Sequence, residues 1–150
     1  MERTLVLLKP DTIQRGLVGR ITGRLEERGL KIVANKMVWI DKELATRHYA
    51  PHIGKPFFQG LVEFITSSPV VALVMEGKEA VEVVRTIMGA TNPTQAMPGT
   101  IRGDCGMDIG QNLVHGSDSL TEAEREINLF FTPQEIFNYH RDIDPWITGP

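Results

Sequence analysis

Residues 4–11 read TLVLLKPD. An apolar run that stops abruptly on a cation, a proline and an acid is too short for a helix, so Thr4–Leu8 reads as a buried strand. Pro10 keeps the residue before it out of the helical region, which leaves Lys9 extended at the strand's exit. Downstream, over 15–28, Leu17, Val18, Ile21 and Leu25 recur at helical spacing, and Gly29 marks the stop. Leu30–Ile40 alternates well enough for a second strand.

Asp41 then caps a short helix, Lys42–Tyr49, which Pro51 ends, and FFQGLVEFIT forms another before Ser67-Ser68-Pro69. Pro69–Glu76 is a third strand, and Gly77 leads into a helix over Lys78–Met88. Asn112–His115 makes a fourth strand, and Asp118 or Ser119 caps a helix running to about Leu129, with Ser119 and Glu122 at capping-box spacing. The order is βαβ, a helical pair, then βαβα. It predicts a single α+β domain over 1–150 with a ferredoxin-like βαββαβ plan: a four-stranded antiparallel sheet flanked by helices, with extra helices inserted before the third strand. The segment from about 89 to 111, rich in Gly and Pro, shows no period and reads as a long functional loop, and about 138–150 form a C-terminal tail.

Composition narrows the function. The 150 residues are 41% hydrophobic and 23% charged, enough apolar material for one core. A net charge of −3 with no basic run argues against dedicated nucleic-acid binding, so any anionic substrate needs locally gathered cations. Cys105 is the only cysteine, which rules out a disulfide framework or a Cys-rich zinc site and suits a reduced compartment. The longest apolar run, Val70–Met75, falls far below the roughly 20 residues that span a bilayer. The N-terminus is too short in apolar residues for a signal peptide. A cytoplasmic, membrane-free protein is expected.

No P-loop or dinucleotide glycine motif is present; Gly16, Gly19 and Gly23 have the wrong spacing. Phosphates would have to be held by side chains, for which Lys9, Arg85 and Arg102 are the candidates. His48 and His52 stand four apart, but Pro51 breaks their helix and no third ligand accompanies them, so no metal ligand is assigned. His140 reads as a surface residue. His115 lies in NLVHGSDS, between an apolar stretch and a Gly-Ser-Asp-Ser cluster. It could be a buried filler, a metal ligand, a base or a nucleophile. Gly116 would clear space beside it, and the helix start that follows favours an anion. A carboxylate such as Glu126 folding back onto its other ring nitrogen would fix its tautomer.

NLVHGSDS also matches the N-x-x-H-G-S-D-[SA] signature of nucleoside diphosphate kinases, and ERTLVLLKPD, QRGLVG, KPFFQGLVEF, GATNP and PGTIRGD resemble that family's blocks, in its order and spacing. The resemblance spans essentially the whole chain. It implies ping-pong transfer of a γ-phosphoryl group between nucleoside tri- and diphosphates through a phosphohistidine on Nδ1 of His115. Glu126 would orient the imidazole with support from Ser117, and Tyr49 would sit beside the transferring group. Lys9 and Asn112 would contact the ribose 3′-hydroxyl, and Arg85, Thr91 and Arg102 the phosphates. Phe57 would stack on the base above Leu61. Mg²⁺ would ride on the nucleotide phosphates without a protein ligand, and the chain would be a homo-oligomer, a hexamer rather than a tetramer. Cys105-Gly106 and Met97 depart from the family's pattern inside the long loop. The other readings of the same residues are a non-catalytic regulatory or nucleic-acid-binding relative, and protein-histidine phosphotransfer as a side activity.

Overall fold

A computed structural model describes residues 1–149. The expected strand β1 covers Glu2–Leu8, β2 Lys31–Val38, β3 Val70–Gly77 and β4 Val114–Gly116. They form one four-stranded sheet in the order β2-β3-β1-β4, and every pairing is antiparallel. Successive side chains of a strand point to opposite faces, and here both faces are covered. Leu5 and Leu7 pack with Val70, Ala72 and Val74 under one helical layer, whereas Val6 and Leu8 pack with Val71, Leu73 and Met75 under the other. This double burial is why the central strands read as unbroken apolar runs rather than alternating ones.

The first layer is built from α3 (Lys42–His48), α4 (Phe58–Ile65) and α7 (Leu120–Phe130), and the second from α2 (Val18–Glu27), α5 (Ala80–Met88) and α6 (Ile101–Cys105). Asp41 caps α3 as expected, its carboxylate accepting from the Leu44 amide at 2.8 Å. Ser119 caps α7 by accepting from the Glu122 amide, but Glu122 turns its carboxylate to Arg125, so only half of the anticipated box forms.

The helix expected over 15–28 is found as α2, Val18–Glu27, and a helix that was not expected precedes it. A short α1, Pro10–Gln14, starts directly on Pro10, the residue whose fixed φ suits a first helical turn, and Gly16 at φ +66° separates it from α2. The long loop also contains structure: a 3₁₀ turn at Pro93–Gln95 and α6, which buries Ile101 and Arg102. Thr100 caps α6 by accepting from the Gly103 amide. A β-carbon on Gly103 would run into the Met97 carbonyl, a backbone atom that cannot swing aside. Gly103→Ala is therefore expected to lower stability by about 1–3 kcal/mol, read as a fall in thermal midpoint. The tail folds back on the start of β2: Phe137 donates its amide to the Val33 carbonyl, Arg141 reaches the Gly29 carbonyl, and α8 (Asp144–Thr148) sets Ile147 against Gly29.

Candidate active site

His115 is the middle residue of β4, opposite Leu7 of β1, rather than its last. Its neighbours in β4, Val114 and Gly116, face the α5 side. A β-carbon at Gly116 would lie 2.7 Å from Met88 Sδ and 2.9 Å from Val84 Cγ1. The glycine thus clears space as expected, and the group it admits to the edge strand is helix α5. His115 points to the opposite face, where α3 and α7 meet.

There its Nε2 lies 2.9 Å from Glu126 Oε1, and Ser117 donates its hydroxyl to the same oxygen at 2.6 Å. Ser117 is pinned in turn to β1, accepting the Leu5 amide on Oγ and donating its own amide to the Leu5 carbonyl. Burial alone would push the Glu126 carboxyl up, but the hydrogen bond from His115, its charge, and the Ser117 and His48 contacts outweigh that and hold it at about 2. A carboxylate ionised throughout the neutral range accepts N–H from Nε2 and leaves the Nδ1 lone pair free.

A second frame holds the entry to β4. Lys9 Nζ donates to Asn112 Oδ1 at 2.7 Å, and Asn112 Nδ2 donates to the Thr91 carbonyl. Arg102, only 5% exposed, gives Nε, Nη1 and Nη2 to the carbonyls of Asn112, Gly89 and Val114. It therefore clamps the loop to the strand as well as facing the cleft. Between Asn112 and Val114, Leu113 sits at φ +74°, a left-handed conformation that branched and bulky residues resist. The start of α1 enforces it. Asp11 accepts the Leu113 amide, and the Leu113 carbonyl takes the Lys9 amide and the Thr12 hydroxyl. Desolvation, with Arg102 nearby, pulls Lys9 down to about 8, although Asp11 opposes it. Desolvation, with Arg85 nearby, lowers Arg102 to about 10, so it stays charged.

Arg85, in the last turn of α5, pairs with Asp118 at 2.5 Å on the exposed side of the site. Phe57 is half exposed at the start of α4 with the His52 ring 5.4 Å away, and Leu61 lies one helical turn on. One open cleft of about 1220 Å³ is lined by Lys9, Tyr49, Phe57, Leu61, Arg85, Thr91, Arg102, Asn112, His115 and Glu126. Ser117 alone of the candidates stands behind it, fully buried.

Sequence reasoning missed His48. Rather than pairing with His52, it packs edge-on against the His115 ring at 4.7 Å and against Tyr49 and Phe130. Burial first, then repulsion from His115, drives its pKa down to about 3, so it is neutral. Burial and Glu126 push Tyr49 up to about 12. Arg125 was also missed: it bridges Glu122 to the Arg47 and His48 carbonyls and locks α7 to the end of α3. No local spacing announces either contact. Among the described residues, no helix is long and apolar enough to cross a membrane.

The family model described as nucleoside diphosphate kinase matches residues 2–136. A nucleoside diphosphate kinase of Archaeoglobus fulgidus is 62% identical over 147 residues, covering 98% of this chain and 97% of that one. The structure of a halophilic nucleoside diphosphate kinase from Halobacterium salinarum in complex with CDP superposes with a TM-score of 0.95 at 56% identity, covering 97% of each chain. A nucleoside diphosphate kinase family protein from Babesia bovis gives 0.95 at 42% identity, covering 98% of this chain and 99% of that one.

Proposed function

The chain belongs to the nucleoside diphosphate kinase family, and from that premise we propose how its residues carry a γ-phosphoryl group from a nucleoside triphosphate to a nucleoside diphosphate. It is a phosphotransferase whose nucleophile is His115. The observation that supports this role is the line from β1 through Ser117 and Glu126 to His115 Nε2, because it aims the opposite nitrogen's lone pair at the cleft.

Nδ1 attacks the γ-phosphorus. An N–P bond forms, the bond to the β,γ-bridging oxygen breaks, and the first diphosphate leaves. Glu126 keeps its hydrogen bond to Nε2–H and balances the positive charge that grows on the phosphorylated ring. A β-phosphate oxygen of the second diphosphate then attacks the same phosphorus, the N–P bond breaks, and the lone pair returns to Nδ1. The two half-reactions mirror each other, so one cleft serves both. Phosphoryl transfer of this kind depends on alignment and charge neutralisation. Lys9, Arg102 and Arg85 supply cations, with Asp118 giving up Arg85 to the phosphates. Thr91 binds phosphate; Asn112 and Lys9 hold the ribose 3′-hydroxyl; Tyr49 flanks the transferring group. Phe57 stacks on the base over Leu61, and since a ring face reads no base edge, discrimination between bases is weak.

Mg²⁺ borne on the phosphates supplies further neutralisation. Three of the cleft's four acidic groups are already engaged, Asp118 by Arg85, Glu122 by Arg125 and Glu126 by His115, which suits a metal that arrives with the substrate. The protein is a homo-oligomer, hexamer before tetramer, and works in the cytoplasm; exposed Met97 and Met107 in the long loop and Trp146 in the tail offer apolar surface for the assembly.

The test is direct. After mixing with MgATP and removing nucleotide, the protein should carry one acid-labile, alkali-stable phosphoryl group, which GDP should collect as GTP. If no phosphoenzyme forms, the reading is wrong. A pH profile adds a check on Lys9. With its pKa drawn down to about 8, Lys9 is charged below that pH and loses its proton above it. In the free enzyme, kcat/KM should decline above about pH 8. Bound phosphates favour the ammonium, so the limb of kcat should lie higher, and Lys9→Arg should remove the decline in both.

A further inference from the structure

We propose that His48, His115 and Glu126 form a Zn²⁺ site, and that Zn²⁺ bound there silences His115 by reversing its tautomer. The inference rests on the reading of His115 as the phosphoryl acceptor.

Three elements each contribute one donor: α3 gives His48, β4 gives His115 and α7 gives Glu126. One ligand atom from each lies within 4.8 Å of the other two. His115 Nε2 is 2.9 Å from Glu126 Oε1, and His48 Nδ1 is 3.8 Å from Glu126 Oε2. Donors sharing one tetrahedral zinc stand roughly 3.3 Å apart, given bonds of about 2.0 Å, so small side-chain rotations bring the set together. Two imidazoles and one carboxylate are a zinc donor set that leaves a fourth position open, here toward the cleft that all three residues line.

His48 supplies the independent observation. Its side chain is 99% buried, and neither ring nitrogen has a hydrogen-bond partner. Leaving buried polar atoms unpaired carries the full cost of stripping them of water. Packing does not account for that, because a phenylalanine would make the same edge-on contacts with Tyr49, His115 and Phe130. A metal ion shared with the other two donors would give one of those two nitrogens, Nδ1, a partner. Mg²⁺ prefers oxygen ligands and six-fold geometry, so the metal that travels with the nucleotide does not compete for this site.

The consequence follows from proton balance. In the active form the proton sits on Nε2, held by Glu126, and Nδ1 carries the lone pair. Zn²⁺ on Nε2 takes over that position; the N–H bond there breaks, and an N–H bond forms at Nδ1 through water. The ring stays neutral and nothing is oxidised or reduced, but the nitrogen facing the phosphorus now bears a proton and cannot attack.

Zn²⁺ should be titrated into the full chain in Mg²⁺-free buffer against a chromogenic chelator. One ion per chain is expected, with affinity falling at least tenfold in His48→Phe and in His115→Ala, and unchanged in Cys105→Ser, His52→Ala and His140→Ala. X-ray absorption on the unaltered protein should show two imidazole ligands, a measurement that does not depend on how His48→Phe folds. Preloaded Zn²⁺ should cut phosphohistidine formation from MgATP at least tenfold, reversibly by chelator, and ¹⁵N spectra should move the His115 proton from Nε2 to Nδ1. The proposal is overturned if Zn²⁺ does not bind, if Cys105→Ser or His140→Ala abolishes binding while His48→Phe does not, or if loaded protein is phosphorylated as fast as free protein. The last result would leave the acceptor role of His115 standing. Conversely, zinc binding at these residues in a protein that never forms a zinc-free phosphoenzyme would sink the acceptor reading and keep the metal site.

Discussion

His115→Ala should abolish the phosphoenzyme and cut nucleotide-to-nucleotide transfer by about 10⁴-fold or more, the scale seen when a covalent nucleophile is removed. The effect should be confined to chemistry. His115 is partly exposed on the cleft and its ring touches His48 and the Glu126 carboxylate, which keeps the Ser117 hydrogen bond, so the truncated chain should fold and still bind nucleotide through Lys9, Phe57, Arg85 and Arg102. Quench-flow with labelled ATP and equilibrium binding of a diphosphate separate the two quantities. Transfer that persists at even a hundredth of the original rate would place the nucleophile elsewhere.

Glu126→Gln is expected to slow phosphoenzyme formation by about tenfold. The amide oxygen keeps the shape of the site, and Ser117 still donates to it, but the negative charge facing the phosphorylated ring is gone. A charge-assisted hydrogen bond exceeds its neutral counterpart by about 1–1.5 kcal/mol, and 1.4 kcal/mol is a factor of ten. Because the carboxyl of Glu126 is held at about 2, it is ionised everywhere above that pH. Any acid limb in the rate profile above pH 4 must then belong to another group, and Glu126→Gln should leave that limb in place. Its disappearance in the variant would show that Glu126 titrates in the working range.

Much of the site was legible because its residues sit at element ends that sequence marks well. Lys9 is announced by the proline after it, and Asp41 and Ser119 by their capping positions. The central strands declared themselves through apolar runs that two helical layers make necessary. What stayed hidden depends on chain closure. Nothing near Ile101 in sequence indicates that Arg102 will spend three nitrogens on carbonyls from residues 89, 112 and 114. α1 and α6 are too short to show a period, and each is fixed by remote contacts: Thr12 with Leu113, Asp104 with Arg24. His48 reads locally as one of a helical histidine pair; only the meeting of α3 with β4 and α7 shows its real neighbours.

The left-handed backbone at Leu113 has a consequence for how the site fails. A conformation costing about 1–3 kcal/mol persists only while its surroundings insist on it, and here the insistence comes from Lys9, Asp11 and Thr12. If the first turn of α1 frays, Leu113 relaxes, and the segment carrying Asn112 and His115 loses its placement in the same event. Fraying of an N-terminal turn and loss of the placement of His115 are thus a single opening transition. The amide of Leu113, sealed by Asp11 until that moment, exchanges its hydrogen through the same opening, so its protection reports the free energy that keeps His115 in place.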